Sequence, residues 1–350
     1  MRLRAVLISL SKGDLDYCDY ADILEQSGLK TTDDLLFTSS TSEQYARLEH
    51  GSMSFTEFAS LKEEVTKFMG APGLTGDVAY MLEKETVSSR YKGYTGVPEL
   101  DQLLDGFGHY GVIEIAGGRE TCKTLLASHI VLRYLTAEPK GRALWIDTSN
   151  SFNVNRALAV TRLLTGPGRH DALDRLGYST CFDMDPALGV LDDMRQAIDA
   201  EGVDTQTPRF IIIDAVTPLL SKDISSVSSQ GHAIMTSFFR QLNSFARSYS
   251  LTVFVINNSV LAKQPNDVPP HNELSAFSGS NLKPALGPTF TFQSDATIWL
   301  SDGKNMFPED ALVTKATQDK VYVAEVLRSR SFLSGQWCSF KSNGLNLAPA

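Results

Sequence analysis

From Gly96 onward, short apolar runs rich in Val, Ile, Phe and Trp recur between stretches long enough for helices: GVIEIAG, RALWIDT, YSTCFDM, RFIIIDA, LTVFVIN and SDATIWLS. This alternation constrains the fold more than any other feature. A strand in a parallel sheet is buried on both faces, because crossover helices cover both sides, so it reads as a nearly continuous apolar run. Six such runs with helical stretches between them point to an α/β fold with a mainly parallel central sheet. The last stretch, VYVAEVLRSRSFLSGQWCSFKSNGL, reads as two strands around a Ser-Gly turn, hence a C-terminal antiparallel hairpin at the sheet edge.

The first 76 residues have a different texture and read as a small all-α N-terminal domain. Thr31 or Thr32 is placed to cap a short helix before Asp33 and Asp34. In SMSFTEFASLKEEVTKFMG the residues Phe55, Phe58, Leu61, Val65 and Phe68 recur at helical steps, and Gly70 ends the run. Two nearby stretches have the look of helix-hairpin-helix DNA binders, but a plain packing bundle explains them with fewer assumptions. The opening MRLRAVLISLSKGD imitates a secretory signal, yet its apolar patch, Ala5 to Leu10, is shorter than the usual core of roughly 7–15 residues and meets Lys12 and Asp14 at once. It reads as a buried first segment. Residues 77–95 form a linker of mixed character, and 96–350 form the α/β core.

At 42% apolar and 21% charged residues the chain has enough material for a substantial core, and no apolar run approaches the roughly 18 residues that span a bilayer. Cys18, Cys122, Cys181 and Cys338 make no C-x-x-C pair, which fits reduced thiols in the cytosol or nucleus better than a disulfide frame or zinc site. The net charge of −9 argues against a broad nucleic-acid-gripping surface.

Chemistry concentrates in IEIAGGRETCKTLLASHI, from Ile113 to Ile130. A strand, a glycine-bearing turn and a helix opening with Lys-Thr form the context of a phosphate-binding P-loop. Backbone N–H groups of such a turn cradle the phosphates, the lysine reaches the terminal ones, and the hydroxyl serves magnesium. Gly117, Gly118, Lys123 and Thr124 are the candidates, but Cys122 stands where the pattern wants glycine. If the loop needs a left-handed backbone there, a Cβ costs about 1–2 kcal/mol, roughly tenfold in affinity if charged to binding. Asp214, at the end of RFIIIDA, is placed to hold magnesium as a Walker B carboxylate. The expected ligands are therefore ATP and Mg, held more weakly than by an intact loop.

The span 94–107, YTGVPELDQLLDGF, through 337–345, WCSFKSNGL, resembles the core of the eukaryotic RecA-type recombinases. LTVFVINNSV is similar to their phosphate-sensing strand, with Asn258 where the recombinase has Gln. NLKPALGPTFTFQSDATIWL is similar to the recombinase paralogues, the D-type in particular. The resemblance implies a RecA-like P-loop ATPase core. It further implies a nuclear mediator subunit in homologous-recombination DNA repair, working in a complex with other paralogues and the recombinase on single-stranded or branched DNA. Ser149 occupies the place of the family's water-orienting glutamate, a departure common among D-type paralogues. A hydroxyl cannot act as a general base at neutral pH, which forfeits about 10²–10⁴-fold in rate. Hydrolysis is therefore expected to be weak or absent. The alternative is an active DNA-dependent ATPase or recombinase in its own right.

By the same resemblance DNA meets two loops, 221–233 and 260–287. They offer Lys222, Lys263 and Lys283 against Asp223, Asp267 and Glu273, almost no surplus positive charge, so weak binding by the isolated chain is expected. Phe277 is placed either to stack on a base or to pack down on the protein. Arg328 and Arg330 read as a solvated strand face more than as a finger into a neighbour's nucleotide. The linker lacks the family's Phe-x-x-Ala hook; Tyr80 and Met81, or Tyr91 and Tyr94, are substitutes for a partner contact unless they cover the chain's own core.

Overall fold

A computed structural model describes residues 3–11, 17–49, 51–70, 73–89, 91–201, 207–221, 229–262, 275, 277, 280–305 and 319–350. The chain divides into two compact units, Met1–Ser88 and Ser89–Ala350.

The first unit is all helical: α1 (Leu3–Leu10), α2 (Cys18–Gln26), α3 (Thr32–Phe37), α4 (Thr41–Tyr45), α5 (Phe55–Met69) and α6 (Gly76–Ser89). Its core gathers Leu3, Val6 and Leu7 of α1 with Leu24, Leu35, Phe58, Leu61 and Val65. The apolar opening segment is thus a helix buried on one face, with Ala5 and Ile8 exposed on the other. Capping boxes start α3 (Thr31 with Asp34), α4 (Ser40 with Glu43) and α5 (Ser54 with Glu57). Each satisfies two backbone donors that the first helical turn would otherwise leave open. The buried stripe of α5 is narrower than its periodicity suggests. Phe55 and Phe68 lie in its first and last turns, 45% and 47% exposed, and Phe55 packs edge-on against Tyr45. The stretch expected as a linker of mixed character is one continuous helix, α6, as far as Ser89.

The second unit contains α7 (Pro98–Gln102), β1 (Gly111–Gly117), α8 (Lys123–Ala137), β2 (Ala143–Asp147), α9 (Val154–Leu163), β3 (Leu176–Thr180), α10 (Met184–Glu201), β4 (Phe210–Asp214), α11 (Val216–Ser221), α12 (Ser229–Ser248), β5 (Thr252–Asn257), β6 (Ser259–Leu261), β7 (Leu282–Pro284), α13 (Gly287–Gln293), β8 (Ala296–Asp302), β9 (Lys320–Ser329), β10 (Trp337–Ser342) and β11 (Leu347–Pro349). The main sheet runs β11-β10-β9-β8-β1-β5-β4-β2-β3. From β8 to β3 every pairing is parallel; β8–β9, β9–β10 and β10–β11 are antiparallel. Five of the six apolar runs are strands over most of their length and the C-terminal hairpin sits at the edge, as expected from sequence; of YSTCFDM only Tyr178–Thr180 belong to a strand, the partly exposed β3 at the opposite edge. The small β6–β7 ladder and β11 carried too little pattern to be foreseen.

Alternate residues of the central strands feed opposite cores. Phe210 and Ile212 join Leu126, Ile130, Trp145 and Phe254 on one face, while Ile211 and Ile213 join Phe238, Leu242, Val253 and Phe290 on the other. This double burial is what a covered parallel sheet demands. Between its sheet neighbours β5 and β8, strand β1 marks a place where successive connections leave in opposite directions. A crevice opens there at the carboxyl ends of the strands.

Candidate nucleotide site

Strand β1 delivers the chain to Gly117, and Lys123 begins α8. A Cβ at Gly117 would meet the Leu300 carbonyl oxygen at 2.3 Å, so only glycine fits beside β8. At Gly118 the nearest contact would be an ordinary 3.4 Å, so that glycine is not required by packing. The Thr121 hydroxyl donates to the Gly118 carbonyl (3.0 Å) and closes the loop. Glu120 (φ 58°) and Cys122 (φ 64°) both adopt the left-handed backbone that disfavours a Cβ. The Cys122 side chain is set against the hydroxyls of Tyr322 and Ser342, and burial raises its thiol pKa.

Lys123 turns its ammonium into the loop, donating to the carbonyls of Gly117 (3.1 Å) and Gly118. Burial lowers its pKa to about 8, with Asp214 and Cys122 opposing. The Thr124 hydroxyl donates to Asp214 Oδ2 (2.9 Å). Burial lifts the Asp214 carboxyl to about 6; the Thr124 bond opposes this, and neighbouring Asp147 adds to it. Asp147 and Asp214 are register partners at the ends of β2 and β4. Asp147 is buried but stays below the ordinary carboxylate range. Burial pushes it up, and this is outweighed by donation from the Phe152 (2.8 Å) and Ser149 (3.0 Å) amides and the Tyr178 hydroxyl (3.2 Å). It organises the turn after β2. The Ser149 hydroxyl donates to Ser151 (2.8 Å) and carries no basic group.

The loop opens onto a cavity of about 330 Å³ lined by residues 120–125 with Arg156, Lys320, Tyr322 and Gly344. Three cationic side chains and the unpaired N–H groups of the first turn of α8 face one carboxylate, Glu120. This donor set fits a polyphosphate. Thr124 and Asp214 are hard oxygen donors of the kind that hold Mg.

The structure therefore brings Gly117, Gly118, Cys122, Lys123, Thr124 and Asp214 together. Asn258 is exposed and outside the cavity lining; its amide donates to Thr217 (2.9 Å) and its carbonyl accepts from Ala285 (2.9 Å). Its neighbour Asn257 is the buried one, donating to Glu114 (2.7 Å). Lys222 and Lys263 lie outside the described residues, and Lys283 is exposed on β7. Phe277 packs edge-on against Trp299, ring centres 5.1 Å apart. Tyr80, Met81 and Tyr94 are exposed. Tyr91 is half-buried: its ring packs against Tyr134 and Phe210 on its own core, the alternative weighed for it from sequence, and burial raises its hydroxyl to about 12. Arg156, Lys320 and Tyr322 were not singled out from sequence. Nothing local marks them, because β9 and the first turn of α9 reach the loop only through the fold.

A phosphate-cradling loop at the crevice, a carboxylate on a nearby strand end and an antiparallel edge together define a RecA-type nucleotide-binding core. A profile described as Rad51 matches residues 90–312, and the chain belongs to that family. It is similar to the bovine (Bos taurus) "DNA repair protein RAD51 homolog 4", 26% identical over 286 residues that cover 81% of either chain. The mouse (Mus musculus) protein of the same name is 26% identical over 210 residues, 59% of either chain. Among solved structures, that of the RadB recombinase shares the fold, with a TM-score of 0.54 and 18% identity over 74% of this chain and 99% of the other. The recombinase-paralogue resemblance read from sequence is thereby supported.

Proposed function

We propose that the chain is an accessory subunit of homologous-recombination DNA repair. In this reading it acts in the nucleus within a heteromeric paralogue complex that supports recombinase filaments on single-stranded DNA, and it holds Mg-ATP with little or no hydrolysis. The observation that carries this reading is a phosphate cradle holding Lys123, Thr124 and Asp214, while Ser149, two residues past Asp147 on the adjoining strand end, stands where the family resemblance puts a water-activating carboxylate. Loss of such a base removes about 10²–10⁴-fold in rate. Cys122 carries a left-handed backbone in the loop, at a cost of roughly 1–2 kcal/mol for its Cβ.

Partner contact is supported by the edge strand β3, unpaired on its outer side among the described residues, with Tyr178 on it and Phe182 just past its end 47% and 54% exposed. An unpaired edge strand flanked by exposed aromatics is a surface that another chain can extend. The exposed Tyr80 and Met81 on α6 are a second candidate. No described helix is long and apolar enough to cross a membrane. The reading as a self-sufficient ATPase or recombinase has Ser149 against it.

A thermal melt with and without Mg-ATP tests the nucleotide site. Ligand at about 100 times its Kd stabilises by roughly 2.7 kcal/mol, a shift that Lys123→Ala removes. No shift at saturating ATP refutes nucleotide binding, and rapid DNA-stimulated turnover by the purified chain refutes the accessory role.

A further inference from the structure

We infer that single-stranded nucleic acid is held in a groove between α12 and α13, apart from the two loops that the family resemblance assigns to DNA. This inference rests on the proposed role at single-stranded DNA and names a place where the strand lies. Helix α12 buries Met235, Phe238, Phe239, Leu242 and Phe245 against the sheet. Its outer face carries Thr236, Arg240, Ser244 and Arg247 at steps of three or four, a polar stripe about 16 Å long at 1.5 Å per residue.

Beside the stripe lies a groove of about 440 Å³ lined by Arg240, Asn243, Arg247, Phe292, Gln293 and Arg330, among others. Phe292 is 64% exposed, and the Arg328 guanidinium lies 5.2 Å from its ring centre. Asp295 lies within 3.2 Å of Arg247 and 3.4 Å of Arg330, and Arg328 donates to the Ser294 carbonyl (2.6 Å), so three of the four guanidiniums are held in position. Arg240 is exposed and has no ion pair among the described residues. The Asn243 and Gln293 amides donate to Phe239 and Thr236, which fixes these two lining side chains.

Charge selects the ligand class. On a chain of net charge −9, four guanidiniums here face one carboxylate, so the groove suits a polyanion despite the acidic whole. The aromatic then separates nucleic acid from an acidic peptide. A peptide carboxylate uses the arginines and leaves Phe292 in water. A single strand places phosphates on Arg240 and Arg247 and stacks a base on Phe292, the pairing of cationic track and π platform that single-strand binders use. Arg240 and Arg247 stand about 10 Å apart along the helix, room for more than one nucleotide.

The test uses the full chain and a fluorescein-labelled oligo(dT) of roughly 16 nucleotides, followed by anisotropy between about 50 and 200 mM salt. Arg240→Ala is expected to weaken binding and make the slope of log K against log salt shallower by about 0.7, one phosphate contact. Phe292→Ala is expected to weaken binding by about 5- to 150-fold, and Phe292→Trp to retain it. Both positions are exposed, and an unchanged Mg-ATP melting shift checks that the variants fold. Parental binding in Arg240→Ala and Phe292→Ala, with loss in Lys283→Ala, overturns the groove while leaving the DNA role intact. Binding of a polyglutamate peptide that Arg240→Ala abolishes, with oligo(dT) unaffected, assigns the groove to an acidic protein and overturns the inference. If the parent fails to bind oligo(dT) at about 50 mM salt, the groove and the direct DNA role both fall.

Discussion

Asp214 is buried and Lys123 half-buried, and burial works against the charged form of each. The Asp214 carboxyl is raised to about 6, so between its unfolded value near 4 and pH 6 the folded chain binds more protons than the unfolded one. Stability therefore falls as pH rises through that window. Lys123 is lowered to about 8, and its ammonium likewise costs stability at neutral pH, a cost relieved as pH rises from 8 toward 10.5. The site is thus kept charged against folding, in favour of a ligand. Asp214→Asn is expected to stabilise the ligand-free chain at pH 7.5 by about 1–2 kcal/mol, because the amide oxygen still accepts from Thr124 while the buried charge is gone. Near pH 4 the gain should disappear. Urea denaturation at the two pH values measures it, and a loss of stability at pH 7.5 would show the carboxylate to be a net stabiliser. The neighbouring pair Asn257 and Asn258 shows the reach of a residue-by-residue reading. Motif matching points to Asn258, but successive residues at a strand end face opposite ways, and Asn257 is the one taken into the interior with Glu114.

Helix α8 carries Lys123 at its start, so its far end must be fixed for the cradle to hold its geometry. Arg175 does this. Its guanidinium donates to the carbonyls of Leu135 (2.6 Å), Glu138 (2.8 Å), Gly141 (2.7 Å) and Gly168 (2.7 Å). Carbonyls at a helix C-terminus have no partner within the helix, and one planar fork supplies several donors at once. Arg175→Ala is expected to cost about 2–4 kcal/mol in a urea titration, since it strands several partly buried acceptors together. Arg175→Lys should recover less than half, because an ammonium cannot span the four carbonyls. Equal stability of the Lys and Arg proteins would refute the clamp. In strand β1, Glu114 is fully buried; burial raises its pKa, while donors including Asn257 (2.7 Å) and Thr297 (2.8 Å) pull it down. The strand was recognisable despite the glutamate, because its other residues are apolar.

The two units have separate hydrophobic cores, one built from residues 3–65 and the others wholly from residues beyond 89. Every residue of the nucleotide cavity belongs to the second. A chain of residues 89–350 alone is therefore expected to fold and, if the site binds nucleotide, to keep the same Mg-ATP melting shift as the full chain. A fragment that melts without cooperativity would mean that the first unit is needed to complete the second. Net charge also acts on the whole molecule. At −9 the surface repels polyanions at long range, so any DNA affinity must come from local groups and fall steeply with salt.

Most of the strands, their mainly parallel pairing, the edge hairpin and the phosphate loop were legible in the amino-acid order. Each is written in local periodicity or in a short spacing: apolar runs for doubly buried strands, and Lys-Thr at the mouth of a helix for the cradle. Long-range pairing supplied what local pattern cannot carry. Lys320 and Tyr322 line a cavity built on residues 120–125 because β9 joins the sheet at the edge of β8. Tyr91, read from sequence as either a partner contact or a cover for its own core, packs on that core because Tyr134 and Phe210 meet it. The four arginines of the groove come from two segments, α12 and the end of β9, and only the packing of the fold gathers them beside Phe292 of α13. Burial and charge proximity arise between residues far apart in the chain, so they are properties of the packed molecule.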